Sequence, residues 1–542
     1  MNRKLIDKAD ALLRKEDGCI FKDPGGKISV CLVYPNTYHV GMSNLGFQGI
    51  YALLNRRDDV VCERAFLPDA ADMDEYVRTG TTPFSLETKR ALADFDIVAF
   101  SISFENDYPN IGQILGMSKI PFSASARNDY HPLLVAGGVC ASFNPEPLAP
   151  AFDVVFVGEA EETLVEFIEV YKKAVGRRDL LRLAVSIFGI YVPSEYEISY
   201  GGKGTICGRT SLHGAPDIIT KSYIRDISLS PVNTAVLTRE TEFSEMYLIE
   251  TMRGCQWNCR FCLAGNYFGP LRMKPPEQVK NEIEAGKKRA LKIGLIAPSL
   301  SDYPGLEEIL CIEGVRFSIT SLRAGSSSSG LIAHISGHKS VSIAPEAGTD
   351  RLRKVIRKEL TEDEILSTSA LLFASGIETL RLYFMIGLPT ETDEDIEGIV
   401  GLCRRVRLID KTKAIVLSVS TFVPKPFTPF QWASMVSLDI AKRRMKIIKK
   451  ALEKEGIKVF HDVPKHAHMQ GLFSLGDRRV FSVIDRMSRG DDFRRACAAA
   501  GIDLDYYVFR SRPLDEALPW DFIDAGVSKE KLRDEYTKAL AG

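Results

Sequence analysis

Three cysteines, Cys255, Cys259 and Cys262, fall within the stretch M-R-G-C-Q-W-N-C-R-F-C-L-A-G at 252–265. Their C-x3-C-x2-C spacing presents three thiolates from one loop. Three thiolates can hold three irons of a 4Fe–4S cubane and leave the fourth iron without a protein ligand. That open iron is a place where a small bidentate molecule can bind and be cleaved. A structural zinc site would want four ligands, usually as two separated pairs, and no fourth Cys or His lies near this loop. The other eight cysteines, in a chain of 542 residues, are scattered through mostly apolar runs, where a reduced thiol acts as a small hydrophobe.

The elements that position this loop read as two successive β/α alternations. In the first, apolar runs at 28–34, 60–66, 96–104, 133–136 and 153–157 read as strands. Helical patterns lie at 45–56, 85–95, 111–118 and 161–174, after a short amphipathic helix at 3–15. Near-continuous apolar strands alternating with helices predict a doubly wound parallel sheet, whose ligands bind beyond the carboxyl ends of the strands. The loops at that edge carry Asn44-Leu45-Gly46, Gly137-Gly138 and Gly158-Glu159-Ala-Glu161. A second alternation has strands near 245–250, 291–297, 315–321, 340–344, 379–386 and 415–422, with helices at 277–289, 362–375 and 393–406. Strand ends there carry Ser321 and Arg323, Glu346, Gly387 and Pro389, and Val423. The expected organisation is a first domain at 1–175, a β-rich connector at 176–243, a second α/β domain at 244–435 and a small α+β extension at 436–542.

The cysteine spacing, with Phe261 before the last cysteine, resembles the signature of the radical S-adenosylmethionine (radical SAM) enzymes. The phrases P-L-L-V-A-G-G-V-C-A-S-F-N-P-E-P-L and F-D-V-V-F-V-G-E-A-E-E-T resemble the cobalamin-binding domain found in front of many radical SAM cores. P-N-T-Y-H-V-G-M-S-N-L-G, V-P-K-P-F-T-P-F and the tail segments G-D-R-R and L-P-W-D match a group within that class, so the resemblance spans nearly the whole chain. It implies a Rossmann-like cobalamin-type domain, a partial (β/α)6 barrel and a C-terminal extension. It implies that Cys255, Cys259 and Cys262 ligate the cluster. Phe261, Ser321, Arg323, Glu346, Gly387, Pro389 and Val423 would bind S-adenosylmethionine, with Arg323 on the methionyl carboxylate and Gly387 and Val423 against the adenine. Asn44, Leu45, Gly46, Gly137, Gly138, Gly158, Glu159 and Glu161 would bind cobalamin.

Two departures stand out. The D-x-H-x-x-G motif that supplies a lower axial histidine is absent: Thr37 and Met42 flank His39 where Asp and Gly would stand. The Gly-Gly-Glu that holds the methionyl amine in many relatives is replaced by Ala297-Pro-Ser299-Leu-Ser-Asp302.

The expected activity is generation of a 5′-deoxyadenosyl radical for C-methylation of an unactivated carbon in a peptide or small molecule. The alternatives are radical rearrangement, cyclisation or oxidation without methyl transfer, and a cobalamin- or cluster-sensing binding protein. No residue is assigned a catalytic role. A flavodoxin- or ferredoxin-type protein is the expected reductant. The net charge of −1 creates no field to gather nucleic acid or an acidic membrane, and no run reaches the length of a membrane span. With no signal-peptide core at the start, the expected compartment is the cytoplasm. The basic helical pattern at 438–454 reads first as a solvated face, and His461, His466 and His468 as surface or substrate-facing groups.

Overall fold

The computed structural model describes residues 2–541 apart from 202, 203, 320, 326–328, 333 and 335–338. Its N-terminal sheet contains β1 (Ile28–Tyr34), β2 (Val60–Phe66), β3 (Ile97–Ser101), β4 (Leu133–Gly137), β5 (Val154–Phe156) and β6 (Ile190–Tyr191). The order is β2-β1-β3-β4-β5-β6, with β1–β5 parallel and β6 antiparallel to β5. Strands buried along nearly their whole length account for the continuous apolar runs. The sheet extends through residue 191, beyond the boundary expected at 175.

The helix expected at 85–95 is absent; one 3-10 turn, Leu92–Asp94, lies there, and the helix between β2 and β3 is Ala70–Thr79. The cause is a buried polar cap on β2. Glu87 accepts from the Arg64 backbone N–H and Nε, both at 2.7 Å, and Glu63 accepts from the hydroxyls of Ser85 and Thr88. These bonds hold 85–88 in a turn that a helix would break.

The connector forms a hairpin, β7 (Tyr196–Tyr200) with β8 (Ile206–Ser211), and a short strand, β9 (Ile219–Thr220). Residues 202 and 203, between β7 and β8 in the sequence, lie outside the described residues. The second α/β unit has a three-stranded parallel sheet, β10 (Met246–Glu250), β13 (Lys292–Ile296) and β14 (Arg316–Phe317). Between β10 and β13, the pair β11 (Met252–Arg253) and β12 (Arg272–Met273) closes the cysteine loop. A four-stranded parallel sheet follows: β15 (Ser340–Glu346), β16 (Thr379–Ile386), β17 (Ala414–Thr421) and β18 (Lys458–His461). A parallel bridge between Ser321 and Ser342 joins the two sheets. Their outer faces share one apolar core with the surrounding helices. The strand expected at 315–321 is only two residues long among the described residues. A further strand, β18, comes from the part of the chain expected to be a separate extension. The composition of G-S-S-S-S-G at 325–330 predicts a flexible loop; 326–328 lie outside the described residues, and a helix, Ser329–Ile332, begins before the end of that run. Among the described residues no helix is long and apolar enough to cross a membrane.

The tail motifs bind the halves together. Asn144 donates to the Ser474 and Gly476 carbonyls at 2.9 Å, and the Arg478 Nε donates to buried Glu146 at 2.9 Å. Trp520 is buried and donates to Gln431 at 2.8 Å, while β19 (Ile523–Asp524) pairs with β9. Removing one partner of a buried ion pair typically costs ~3–5 kcal/mol. Arg478→Ala is therefore expected to lower the thermal unfolding midpoint by several degrees, and an unchanged midpoint would show that the Glu146 pairing does not hold the halves together.

Candidate functional site

The cysteine loop is shaped by its own backbone. Gly254 has φ +78°, and a Cβ there would stand 3.0 Å from the carbonyl oxygens of Phe268 and Pro270. Asn266 Nδ2 donates to the carbonyls of Cys259 at 3.0 Å and Cys262 at 2.8 Å, tying two cysteine backbones together. Arg260 reaches out of the loop to the Val355 carbonyl at 2.8 Å and to Glu535 at 3.1 Å. Cys259 is buried; Cys255 and Cys262 are half-buried.

The thiols share one electrostatic neighbourhood. Burial pushes the Cys259 thiol up to about 11; Lys358 and Arg323 oppose that shift, while Cys262 and Glu346 add to it. Cys262 is likewise raised by burial, with Cys255 and Glu346 adding. A thiol must lose its proton to take a metal, and the nearby cations favour the thiolate. Among the described residues no three ligating side chains converge as ligands of a single ion would. A cubane makes a different demand, one thiolate for each of three irons. Three thiols on one loop meet that demand in kind and number.

The strand-end residues cluster around this loop in part. Glu346 ends β15 after a shift in register, with φ +66°, a conformation that costs energy for a non-glycine residue. Burial raises its pKa, and Lys358 pairs with it at 3.3 Å. Arg323 lies 3.5 Å over the ring of Trp257 and donates to the Glu359 carbonyl at 2.7 Å. The Trp257 indole N–H in turn donates to Asp302 at 2.6 Å, and the Ser299 hydroxyl donates to the same carboxylate oxygen. Asp302 thus stands against the cysteine loop, in the segment where Gly-Gly-Glu is missing. Sequence reasoning passed over Trp257 and Lys358; the position of Trp257 inside the C-x3-C interval was the available signal.

Ser321 bridges to β15, and Phe261 and Val423 pack against the larger core. Gly387 has φ +83°, and a Cβ would lie 2.7 Å from Val436, so its own fold requires glycine there. Its N–H donates to Glu391 at 2.6 Å. Burial raises the Glu391 pKa to about 7, against the opposing effects of the Gly387 N–H and Arg444. Pro389 follows in the same turn.

All eight residues assigned by resemblance to cobalamin line one cavity of about 680 Å³. Its floor is the apolar face of the N-terminal sheet, including Val30, Ile97 and Val135, and its flanks are Leu53 and Ile168. At its mouth stand Glu250, Arg253 and Gly254 of the second unit, next to Cys255. The glycines differ in role. A Cβ on Gly138 would sit 2.5 Å from the Ile102 carbonyl oxygen, and one on Gly158 would sit 2.1 Å from that of Ser222, so the protein's backbone excludes both. A Cβ on Gly137 would meet nothing closer than 3.9 Å, leaving open room over the cavity. Asn44 caps the helix Leu45–Asn55 and donates to Ser103 at 3.1 Å. His39 is exposed, 3.8 Å from Glu242, and is not among the cavity's lining residues.

Glu159 and Glu161 are engaged by arginines. Arg253 contacts Glu159 at 3.0 Å, Glu161 at 2.7 Å and Glu250 at 2.9 Å; Arg272 contacts Glu159 at 2.7 Å. Burial alone would raise the Glu159 pKa, but hydrogen bonds from Arg272 and the charge of Arg253 hold it below the usual carboxylate range.

The chain belongs to the radical SAM superfamily. The superfamily model matches residues 249–403, and a model for the N-terminal region of radical SAM proteins matches 46–193. An uncharacterized protein of Methanocaldococcus jannaschii is 30% identical over 465 residues, 84% of this chain and 90% of that one. The anaerobic magnesium-protoporphyrin IX monomethyl ester cyclase of Cereibacter sphaeroides is 25% identical over 320 residues, 55% of this chain and 47% of the cyclase. Among solved structures, the cobalamin-dependent S-adenosylmethionine radical enzyme OxsB with aqua-cobalamin bound aligns at TM-score 0.48 and 14% identity, covering 85% of this chain and 66% of OxsB. The protein is a radical SAM enzyme, and its cofactors include a 4Fe–4S cluster and S-adenosylmethionine.

Arg253 is the partner of three carboxylates, and its loss strands them at a largely buried site. Arg253→Ala is expected to cost ~3–5 kcal/mol and to lower both the thermal midpoint and the iron retained after reconstitution. Arg253→Lys, which keeps the charge and loses the fork, should fall between. Wild-type stability and iron content in the alanine variant would refute the assignment.

Proposed function

We propose that this radical SAM enzyme is cobalamin-dependent and methylates an unactivated carbon of a peptide or small molecule. The observation that carries the reading is the cavity. It lies on the apolar face of the N-terminal sheet and is also lined by Arg253 and Gly254, the two residues that lead into the cysteine loop. Cobalamin fits it by two features: an apolar trench uncovered by helix, and bare backbone at Gly137.

When bound, the cluster supplies the electron that breaks a sulfonium bond of S-adenosylmethionine, and the corrin supplies a transferable methyl group. Cys255, Cys259 and Cys262 hold the cluster as thiolates, a state that Lys358 and Arg323 favour at Cys259. Arg323 offers a guanidinium to the methionyl carboxylate, and Trp257 fixes its plane. Glu346, kept in place by Lys358, accepts from ribose hydroxyls or the methionyl ammonium. Ser299 or Asp302, in the segment that lacks Gly-Gly-Glu, takes over the role of receiving that ammonium. Gly46 and Gly137 let backbone approach the corrin, and the trench walls exclude water. A flavodoxin- or ferredoxin-type reductant in the cytoplasm completes the system.

The test is anaerobic purification with iron reconstitution, followed by visible spectra for cluster and corrin. The wild-type chain should retain both, and its product should gain a methyl group. Gly137→Leu, which projects a side chain into the cavity, should weaken corrin binding by about tenfold or more, ~1.4 kcal/mol, while the cluster spectrum persists. Cleavage of S-adenosylmethionine by a protein that holds no corrin would sink the cobalamin reading. A product isomeric with substrate, or lacking two hydrogens, would replace methylation by radical rearrangement or oxidation.

A further inference from the structure

Among the described residues the inner face of β16–β18 is left partly open. Along β16, Leu380, Leu382, Phe384 and Ile386 are buried in the outer core, and Arg381, Tyr383 and Met385 alternate to the other side. Along β17 the same alternation turns Val416, Ser418 and Ser420 inward. On β18 it turns Lys458 and Phe460 inward. Tyr383, on the internal strand β16, is 41% exposed, and Phe460, on the edge strand β18, is 46% exposed, high values for aromatic side chains on a parallel sheet. The register places Tyr383, Ser418 and Phe460 in one row and Arg381, Val416 and Lys458 in the next.

Neighbouring strands lie ~4.8 Å apart, so the backbones of Tyr383 and Phe460 stand about 10 Å apart with the small Ser418 between them. A flat ring seated over Ser418 would lie about 5 Å from each aromatic, within the ~4.5–7 Å range of ring stacking. The charged row is about 6.6 Å away along the strands. Lys458 Nζ lies 4.7 Å from the Phe460 ring centroid. Among the described residues neither Arg381 nor Lys458 forms an ion pair with a carboxylate. Two aromatic walls, a small polar floor and two cations at one end make a slot complementary to a flat anion. The slot is distinct from the strand ends that carry Glu346 and Gly387, and half of it is built by β18.

We propose that this slot is a substrate subsite, and that the substrate is a flat, conjugated molecule bearing a carboxylate. Tyr383 and Phe460 stack on the conjugated part. Arg381 and Lys458 take the carboxylate, Arg381 through its planar fork. The assignment rests on the reading of the protein as a radical SAM enzyme, because the slot lies on the sheet whose first strand, β15, ends at Glu346 beside the cysteines.

The probe is 4-benzoylbenzoate, a flat aromatic carboxylate that crosslinks to its binding site on irradiation. The full-length reconstituted protein is labelled anaerobically with saturating S-adenosylmethionine, and adducts are mapped by tandem mass spectrometry. Adducts are expected on peptides containing Tyr383, Met385 or Phe460. The double variant Arg381→Gln, Lys458→Gln should lose about tenfold of that labelling, Arg381→Lys, which keeps the charge and loses the fork, should fall between, and the neutral 4-methylbenzophenone should label weakly. Each variant's fold is checked by its cluster absorbance. Adducts confined to the N-terminal cavity, labelling indifferent to both cations, or labelling abolished by S-adenosylmethionine would each overturn the assignment. Labelling requires no turnover, so a protein that fails to cleave S-adenosylmethionine yet labels at the slot separates failure of the functional reading from failure of the subsite.

Discussion

The arrangement of the site depends on one guanidinium. Arg253 joins Glu159 and Glu161, from the loop after β5, to Glu250 at the end of β10, and it stands two residues before Cys255. Taking these charges from water is expensive, and the expense is recovered only when geometry is good and few donors are left over. Arg253 meets that condition by using its fork on Glu250 while contacting both other carboxylates, and Arg272 neutralises much of what remains on Glu159. A rigid charged knot at this point sets the distance between the cavity mouth and the first cysteine. Groups held on either side of this junction need that distance fixed, because small misplacements of reacting groups are costly.

The rest of the chain reinforces the same junction. Ser142 donates or accepts at the hydroxyl of buried Tyr267 and also receives the Gly158 N–H, linking the cavity's edge to the end of the cysteine loop. Lys221 is buried against the Tyr267 carbonyl and ring, and burial lowers its pKa to about 8. The tail adds Arg478 on Glu146 and Trp520 on Gln431 from the far side. The C-terminal segments are therefore part of the mechanism that holds two α/β units in register, which gives a physical reason for motif-like residues so far from the cysteines.

Much of this was legible in the sequence, and the failures have identifiable causes. Strands β1, β2 and β16 match the apolar runs end to end, because burial on one or both faces leaves a strong pattern. The helix misplaced to 85–95 failed because Ser85 and Glu87 are polar yet buried, satisfied by partners on β2 that no local pattern reveals. Strand β18 was passed over because K-V-F-H buries only Val459. The strand-end positions of Arg323 and Glu346 were legible from the alternation. The packing of Trp257 beneath Arg323 was not, since it depends on where Asp302 returns in space. Glycine served the resemblance as a sign of bound cofactor, yet at Gly138, Gly158 and Gly387 the protein's own atoms require it, whereas Gly137 leaves open space over the cavity.

Parallel sheets are normally covered on both faces, and this chain breaks that rule twice. In the N-terminal unit the gap between the helices Leu45–Asn55 and Thr163–Lys173 leaves the apolar floor of the cavity open. In the second unit the inner face of β16–β18 leaves Tyr383 and Phe460 in solvent. Each large side chain left exposed forgoes roughly 1.5–3 kcal/mol of burial, so the two openings are a substantial charge against stability. The outer core of β10–β17 and the continuous core of the N-terminal unit and tail offset it. The first opening is lined by residues of both units, Gly254 ahead of the first cysteine among them. An apolar opening in each unit, set in a packed core, is the arrangement expected of a molecule that completes its interior with bound groups rather than with its own side chains.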